Sequence, residues 1–316
     1  GTIRACAAGF SAPTLDAAQL RTVRSLIERE LAAGALGVSL GLGYAPDCFY
    51  STETLIEALR PLQDSGIPIT VHMWQEGSGV VGALREMIAV ARALRTPVEI
   101  SHLKSIGKAN WRSCTPEMLR LMAEARQEGV RIACDVYPYT AGSTQLVHVL
   151  PPETQQGGME ALTEHLADPA FRETLKARML TGSDFENISL LAGFENIVVS
   201  SVRLDGLRQY EGQSIAQIAE QQGKDPFTCL FDLLQAAHCD VTMIDFIAAE
   251  DDICDILRDA HSCVISDSTY PTTGMLHPRV YGTYTTLLEH FVREKQVLSL
   301  EAACLLYTSP SPRDTR

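Results

Sequence analysis

The chain has 316 residues, 46% of them hydrophobic and 21% charged, the composition of a globular protein long enough to bury a sizeable core. Its formal net charge of -13 repels phosphate backbones and anionic lipid, so neither a nucleic acid nor a membrane is expected as a partner. No apolar run is long enough for a transmembrane helix, and the opening GTIRACAAGFSAPTLD lacks the basic flank and apolar stretch of a signal peptide.

Residues 16–33 alternate charged and apolar positions with helical period, and Gly34 follows as a stop signal. Residues 36–42 form a short apolar run. STETLIEALRPL, from Ser51, carries a glutamate three residues after a Ser or Thr, a helix-start pattern. A second run, IPITVHM (67–73), precedes a helix predicted over 80–94. The third run is PVEISHL (97–103). TPEMLRLMAEARQEG (115–129) reads as a helix with Pro116 at its first position and Gly129 at its end, and VRIACDV (130–136) is the fourth run.

The runs recur roughly every thirty residues, about the size of a strand, a helix and the return to a parallel strand. They are apolar nearly throughout, as expected for strands buried on both faces. The pattern predicts an α/β fold. Polar residues gather just past successive runs, which favours a (β/α)8 TIM-like barrel over an open sheet. No glycine-rich phosphate loop follows any run.

The rhythm breaks after Tyr139. Residues 140 to about 210, with one helix expected near 159–180, read as an insertion between the last two strands. Residues 213–237 are helical again, 241–249 are a further strand or a helix edge, and 250–260 are a helix. Residues 263–266 are a short strand leading to Asp267, and 284–295 form the last convincing helix. Five barrel-type strands are visible, about strands 4–8 of the eight that a closed barrel needs, so the others are expected upstream of Gly1. The catalytic unit is assigned to residues 1–303. Residues 304–316, CLLYTSPSPRDTR, are expected to be a non-native tail derived from a sequencing adapter. The nine cysteines contain no CxxC pair, which suits reduced thiols in a cytoplasmic protein.

His72 and His102 stand at the ends of consecutive predicted strands, close enough to share a metal ion. A lone strand-end histidine is more often a satisfied core residue; two at matching depth strengthen the ligand reading. Asp267 can ligate a metal and take a proton from water, or it can cap a helix. His148, His165, His238, His261 and His290 read as surface or packing residues, and Asp135 as outer support for a histidine.

The ordered blocks GALGVSLGLGYAP, TVHMWQE, VEISHLK, DVYPYTAGST, VISDS and HPRVYGTY resemble the N-acyl-D-amino-acid deacylases (D-aminoacylases) of the amidohydrolase superfamily, over about residues 31–303. The resemblance implies a zinc-dependent barrel hydrolase that cleaves the amide of a small-molecule N-acyl-D-amino acid, using one or two Zn2+ ions. His72, His102 and Asp267 match metal ligands, with Asp267 also the base. Tyr44, Lys104, Tyr137, Ser143 and Arg279 match substrate-binding positions, Arg279 as a planar fork for a carboxylate. The family's first-strand His-x-His is absent, so the chain as it stands is expected to be inactive alone. Trp74 replaces an arginine common in the family, and Ser268 a glycine. A cyclic amidase of the hydantoinase or dihydroorotase kind, a dipeptidase and a non-catalytic barrel are the competing readings.

Overall fold

A computed structural model describes residues 1–10, 12–271 and 273–308. Each of the four apolar runs becomes a strand: β1 (Val38–Gly41), β2 (Ile69–His72), β3 (Val98–Ile100) and β4 (Ile132–Val136). Helices Thr52–Ala58, Val80–Leu94 and Cys114–Gln127 lie between them in the chain. Ser51 caps the first of these by accepting the Thr54 N–H, and Asp16 and Gln19 form a reciprocal capping box on helix Ala17–Ala32.

Four further strands follow: β5 (Ala141–Gln145), β6 (Ile197–Val202), β7 (Val241–Phe246) and β8 (Ser262–Val264). The first sheet has the order β1-β2-β3-β4-β8, and every pair in it is parallel. Ile69 and Val71, Val98 and Ile100, and Ile132 and Cys134 share one buried core with helix residues such as Leu84, Met87 and Met122. Consecutive β-α-β units, and the buried apolar positions of β2, β3 and β4, explain why these strands were legible as apolar runs.

Between β4 and β8 the chain leaves this sheet. Strands β5, β7 and β6 form an antiparallel sheet in that order. It shares a second core with helices Ile215–Gln222 and Pro226–Ala236, including Val199, Ile218, Leu230, Phe231 and Met243. The region set apart at 140–210 therefore runs on through β7, and the helices within 213–237 belong with it. The single helix expected over 159–180 is two, Met159–His165 and Pro169–Thr181, because Asp168 caps a new start with Pro169 at its first position. The last predicted helix begins earlier, as Arg279–Thr286, and continues as a π-helix over Leu287–Glu294.

Helix Leu300–Leu305 runs past Ala303, and the Leu306 carbonyl accepts a 2.8 Å hydrogen bond from the Val264 N–H. The rest of the expected adapter-derived tail, residues 309–316, lies outside the described residues. Among the described residues no helix is long and apolar enough to cross a membrane.

Candidate metal centre

His72 ends β2, in register with Gly41 at the end of β1. His102 lies two residues past β3 with a positive φ of 41°. That region costs a residue with a Cβ about 1–2 kcal/mol, so something must hold it. Asp135 of β4 does: its Oδ1 accepts the His102 N–H, and its carbonyl accepts the Leu103 N–H at 2.8 Å. Asp135 is thus the supporting carboxylate expected from sequence, acting on the backbone of His102.

His72 Nδ1 and His102 Nε2 face each other at 3.1 Å. Two imidazoles on a tetrahedral zinc, with Zn–N bonds of about 2.0–2.1 Å, place their nitrogens about 3.3 Å apart, so the spacing fits a shared ion. Glu76 Oε1 lies 2.9 Å from His102 Nδ1 and 3.9 Å from His72 Nδ1. One ligand atom from each of His72, Glu76 and His102 lies within 4.8 Å of the others. Lys104 Nζ completes the cluster, 2.7 Å from Glu76 Oε1 and 2.8 Å from His102 Nδ1.

Burial pushes the His72 imidazole down to about 3, so it stays neutral and able to ligate. Burial opposes ionisation of Glu76, but Lys104 and the two imidazoles hold its carboxyl well below the usual carboxylate range. Burial likewise opposes the Lys104 charge, and Glu76 more than offsets it, leaving the ammonium firmly protonated.

The cavity around this cluster is lined by every residue matched from sequence to a metal, catalytic or substrate-binding position: Tyr44, His72, His102, Lys104, Tyr137, Ser143, Asp267 and Arg279. Tyr44 stacks on His72 at 4.3 Å between ring centroids. Tyr137 lies under both cations, 5.6 Å from Lys104 Nζ and 4.6 Å from the Arg279 guanidinium carbon. Burial raises the Tyr137 phenol to about 12, so it remains a donor.

Asp267 lies on the wall of the same cavity. It has a positive φ of 46°, and its Oδ2 pairs with Arg279 Nη1 at 2.9 Å. Glu76 joins the two histidines in the group that could hold a metal. Arg279, only 2% exposed, spends its second terminal nitrogen on the Ser143 carbonyl at 2.9 Å. Its Nε has no partner among the described residues. The Ser143 hydroxyl donates to the Met243 carbonyl, and the Ser268 hydroxyl to the Arg279 carbonyl. His277 is buried, bonds the Ala141 carbonyl oxygen through Nε2 and accepts the Arg279 N–H, so it orients this loop.

Four cavity residues escaped the sequence reading. His148, read there as packing or surface, sits 4.3 Å from the Tyr44 ring, and burial lowers it to about 4. Glu76 stands four residues past a strand end, and that offset was its available signal. Glu186 and Asp245 come from the inserted region. Burial raises them to about 7 and about 6 respectively. A larger cavity, about 250 Å³, lies along β1 near Arg4 and Asp47 and contains none of the histidines.

No protein-family model matches the chain. It is 29% identical over 286 residues to a D-aminoacylase of Alcaligenes xylosoxydans xylosoxydans, covering 90% of this chain and 49% of that protein. An N-acyl-D-glutamate deacylase of the same organism is 27% identical, with 93% of this chain and 50% of that protein covered. The fold is similar to the crystal structure of an N-acyl-D-glutamate deacylase from Bordetella bronchiseptica complexed with zinc and a phosphonate inhibitor. There the TM-score is 0.74 at 25% identity, over 95% of this chain and 53% of that one. The chain is similar to a D-aminoacylase over nine tenths of its length. A D-aminoacylase crystal structure matches with TM-score 0.72 at 28% identity, covering 96% of this chain and 53% of that one. The chain spans about half the length of the D-aminoacylase relatives it matches.

Proposed function

We propose that this chain carries part of the active site of a zinc-dependent hydrolase of N-acyl-D-amino acids, which releases a carboxylate and a free D-amino acid. The observation that carries the reading is the His72–Glu76–His102 group. It shares one cavity with the Asp267–Arg279 pair, in a relative of the D-aminoacylases. The solved relatives include the zinc and phosphonate complex named above and a D-aminoacylase with a binuclear metal centre. The five parallel strands would then be strands 4–8 of a (β/α)8 barrel, with the antiparallel region inserted before the last strand. The nine unpaired cysteines suit a reducing cytoplasm.

One or two zinc ions, held in part by His72, His102 and Glu76, would supply a Lewis acid that polarises the amide carbonyl and acidifies water. The chain's own residues do the rest. Asp267 takes a proton from the attacking water and delivers it to the leaving nitrogen. Arg279 holds Asp267 at the cavity wall and keeps its Nε as a donor for a substrate carboxylate. Lys104 fixes Glu76 and His102 and contributes positive charge near the developing oxyanion. Tyr44 and Tyr137 shape the wall, and Tyr137 offers a neutral hydroxyl.

The test uses the zinc-loaded protein that contains this chain, against N-acyl-D-amino acids and hydantoins. We expect hydrolysis of the linear amides, and a fall of about 10²–10⁴ in kcat for Asp267→Asn with metal retained. Preferential opening of hydantoins, or an Asp267→Asn variant as fast as the parent, overturns the reading.

A further inference from the structure

Four carboxylates line the metal cavity: Glu76, Glu186, Asp245 and Asp267. Its two permanent cations are both committed, Lys104 to Glu76 and Arg279 to Asp267. Glu186 Oε2 accepts the Glu76 backbone N–H, but its Oε1 is sealed from solvent and has no partner among the described residues. Asp245 is 3% exposed, and its Oδ1 likewise has none. Burying a carboxylate oxygen without a donor is costly, and a native protein that keeps two of them in one cavity calls for an explanation.

The surroundings point to a ligand. Trp74 offers an aromatic face, and Ile106, Ile188 and Ile247 supply apolar wall. The cavity itself holds about 70 Å³ of accessible space and shares Gly43, Trp74, His148 and Glu186 with a cleft of about 380 Å³. The charged groups lining that cleft are Glu86, Asp184 and Glu186, with no Lys or Arg among its described residues. Asp184 is already paired with Arg178, and Glu86 accepts the Thr52 hydroxyl, which leaves Glu186 as the group with a buried oxygen that has no partner among the described residues. With the free Arg279 Nε taken by the substrate's α-carboxylate on the reading above, an anionic side chain entering here would meet unpaired carboxylates and no uncommitted cation. A side chain with an apolar stem and a positive end would lie along the isoleucines, pass the Trp74 ring and give its donors to the waiting oxygens.

Resting on the proposed function, we propose that this cavity selects N-acyl amino acids with a cationic side chain, with Trp74, Glu186 and Asp245 as the specificity-determining residues. The relative named for N-acyl-D-glutamate would then differ from it in the charge it accepts.

The test compares kcat/KM for N-acetyl-D-lysine, N-acetyl-D-leucine and N-acetyl-D-glutamate with the zinc-loaded protein. It also measures binding of the same three compounds by tryptophan fluorescence. We expect lysine to lead glutamate by about 100-fold or more, and Glu186→Gln and Asp245→Asn each to cut the lysine-to-leucine ratio about tenfold. Glutamate equal to or better than lysine overturns the inference and leaves the deacylase reading standing. So does an unchanged ratio in both variants. If none of the three is hydrolysed with zinc bound, the deacylase reading fails. The fluorescence then decides the selectivity alone: tighter N-acetyl-D-lysine binding upholds it, and equal or weaker binding overturns it.

Discussion

Asp245 shows at the scale of one residue what a ligand-ready cavity costs the fold. Its carboxyl is raised from 3.8 to about 6, mainly by burial. The folded state therefore binds the proton more tightly than the unfolded chain, and stability falls as pH rises from about 4 to about 6. That difference in proton affinity corresponds to roughly 2–3 kcal/mol lost above the window, at about 1.4 kcal/mol for each factor of ten. Asp245→Asn should raise the melting temperature at pH 7.5, and the gain should vanish at pH 4; thermal unfolding at both pH values checks it. His148 works in the opposite direction. Its folded value of about 4 lies below the usual 6.5, so the unfolded chain takes up the proton first, and stability is lost as pH falls from 6.5 toward 4. His148→Gln should flatten that acid decline.

The positive φ values of His102 and Asp267 are a second residue-scale feature. Neither residue is glycine, and both line the metal cavity, where backbone strain of this kind is kept because the surroundings enforce it. For His102 the enforcing group is Asp135. Asp135→Ala, which removes the acceptor, should lower zinc affinity about 10–100-fold, as loss of an outer partner of a metal ligand does, and calorimetric titration with zinc would read it. An unchanged affinity would show that His102 holds its place without Asp135.

At the scale of elements, the cavity is assembled where strand ends meet the inserted sheet. Gly43, just past β1, leaves room for His72: a Cβ there would come 2.5 Å from His72 Nε2. Gly43→Ala should displace the ring and weaken zinc binding while the helical content stays unchanged, measured by zinc titration and circular dichroism. Gly77 performs the same service for the insertion, since a Cβ there would press on Leu191 and Glu186. The parallel strands β1 to β4 were legible in the sequence because mostly apolar runs recur at the spacing of β-α-β units. His72 and His102 were legible as the polar residues that end such runs. Glu76 was not, because it lies in a loop with no periodic frame. Asp245 was hidden by its strand: β7 belongs to an antiparallel sheet whose partners, β5 and β6, are about 40 to 100 residues away in the chain, at separations that local pattern does not reveal.

At the scale of the whole molecule, two hydrophobic cores are joined through polar contacts around one cavity. The Gly107 N–H and the Trp111 indole both donate to the Ile247 carbonyl, and Glu186 holds the Glu76 loop. The sequence read the second core as an insertion but ended it near 210, because its last helices resemble the barrel helices in length and period. The β8 return to β4 then closes the parallel order around the histidines. The acidic balance of the chain, -13, extends into the cavity, where four carboxylates stand against two cations. The metal ligands and the selectivity residues therefore sit in a region of net negative potential that favours zinc and cationic side chains alike.

The central claim is that His72, His102 and Glu76 hold the metal that drives amide hydrolysis. The most direct measurement follows amine release from N-acetyl-D-lysine while zinc is titrated into chelator-treated protein, for the parent and for His102→Ala. The account predicts that the parent rate climbs from background to a plateau with added zinc and that the variant stays at least about 10²-fold lower. Hydrolysis by the parent before zinc is added, or full recovery by His102→Ala, would contradict it.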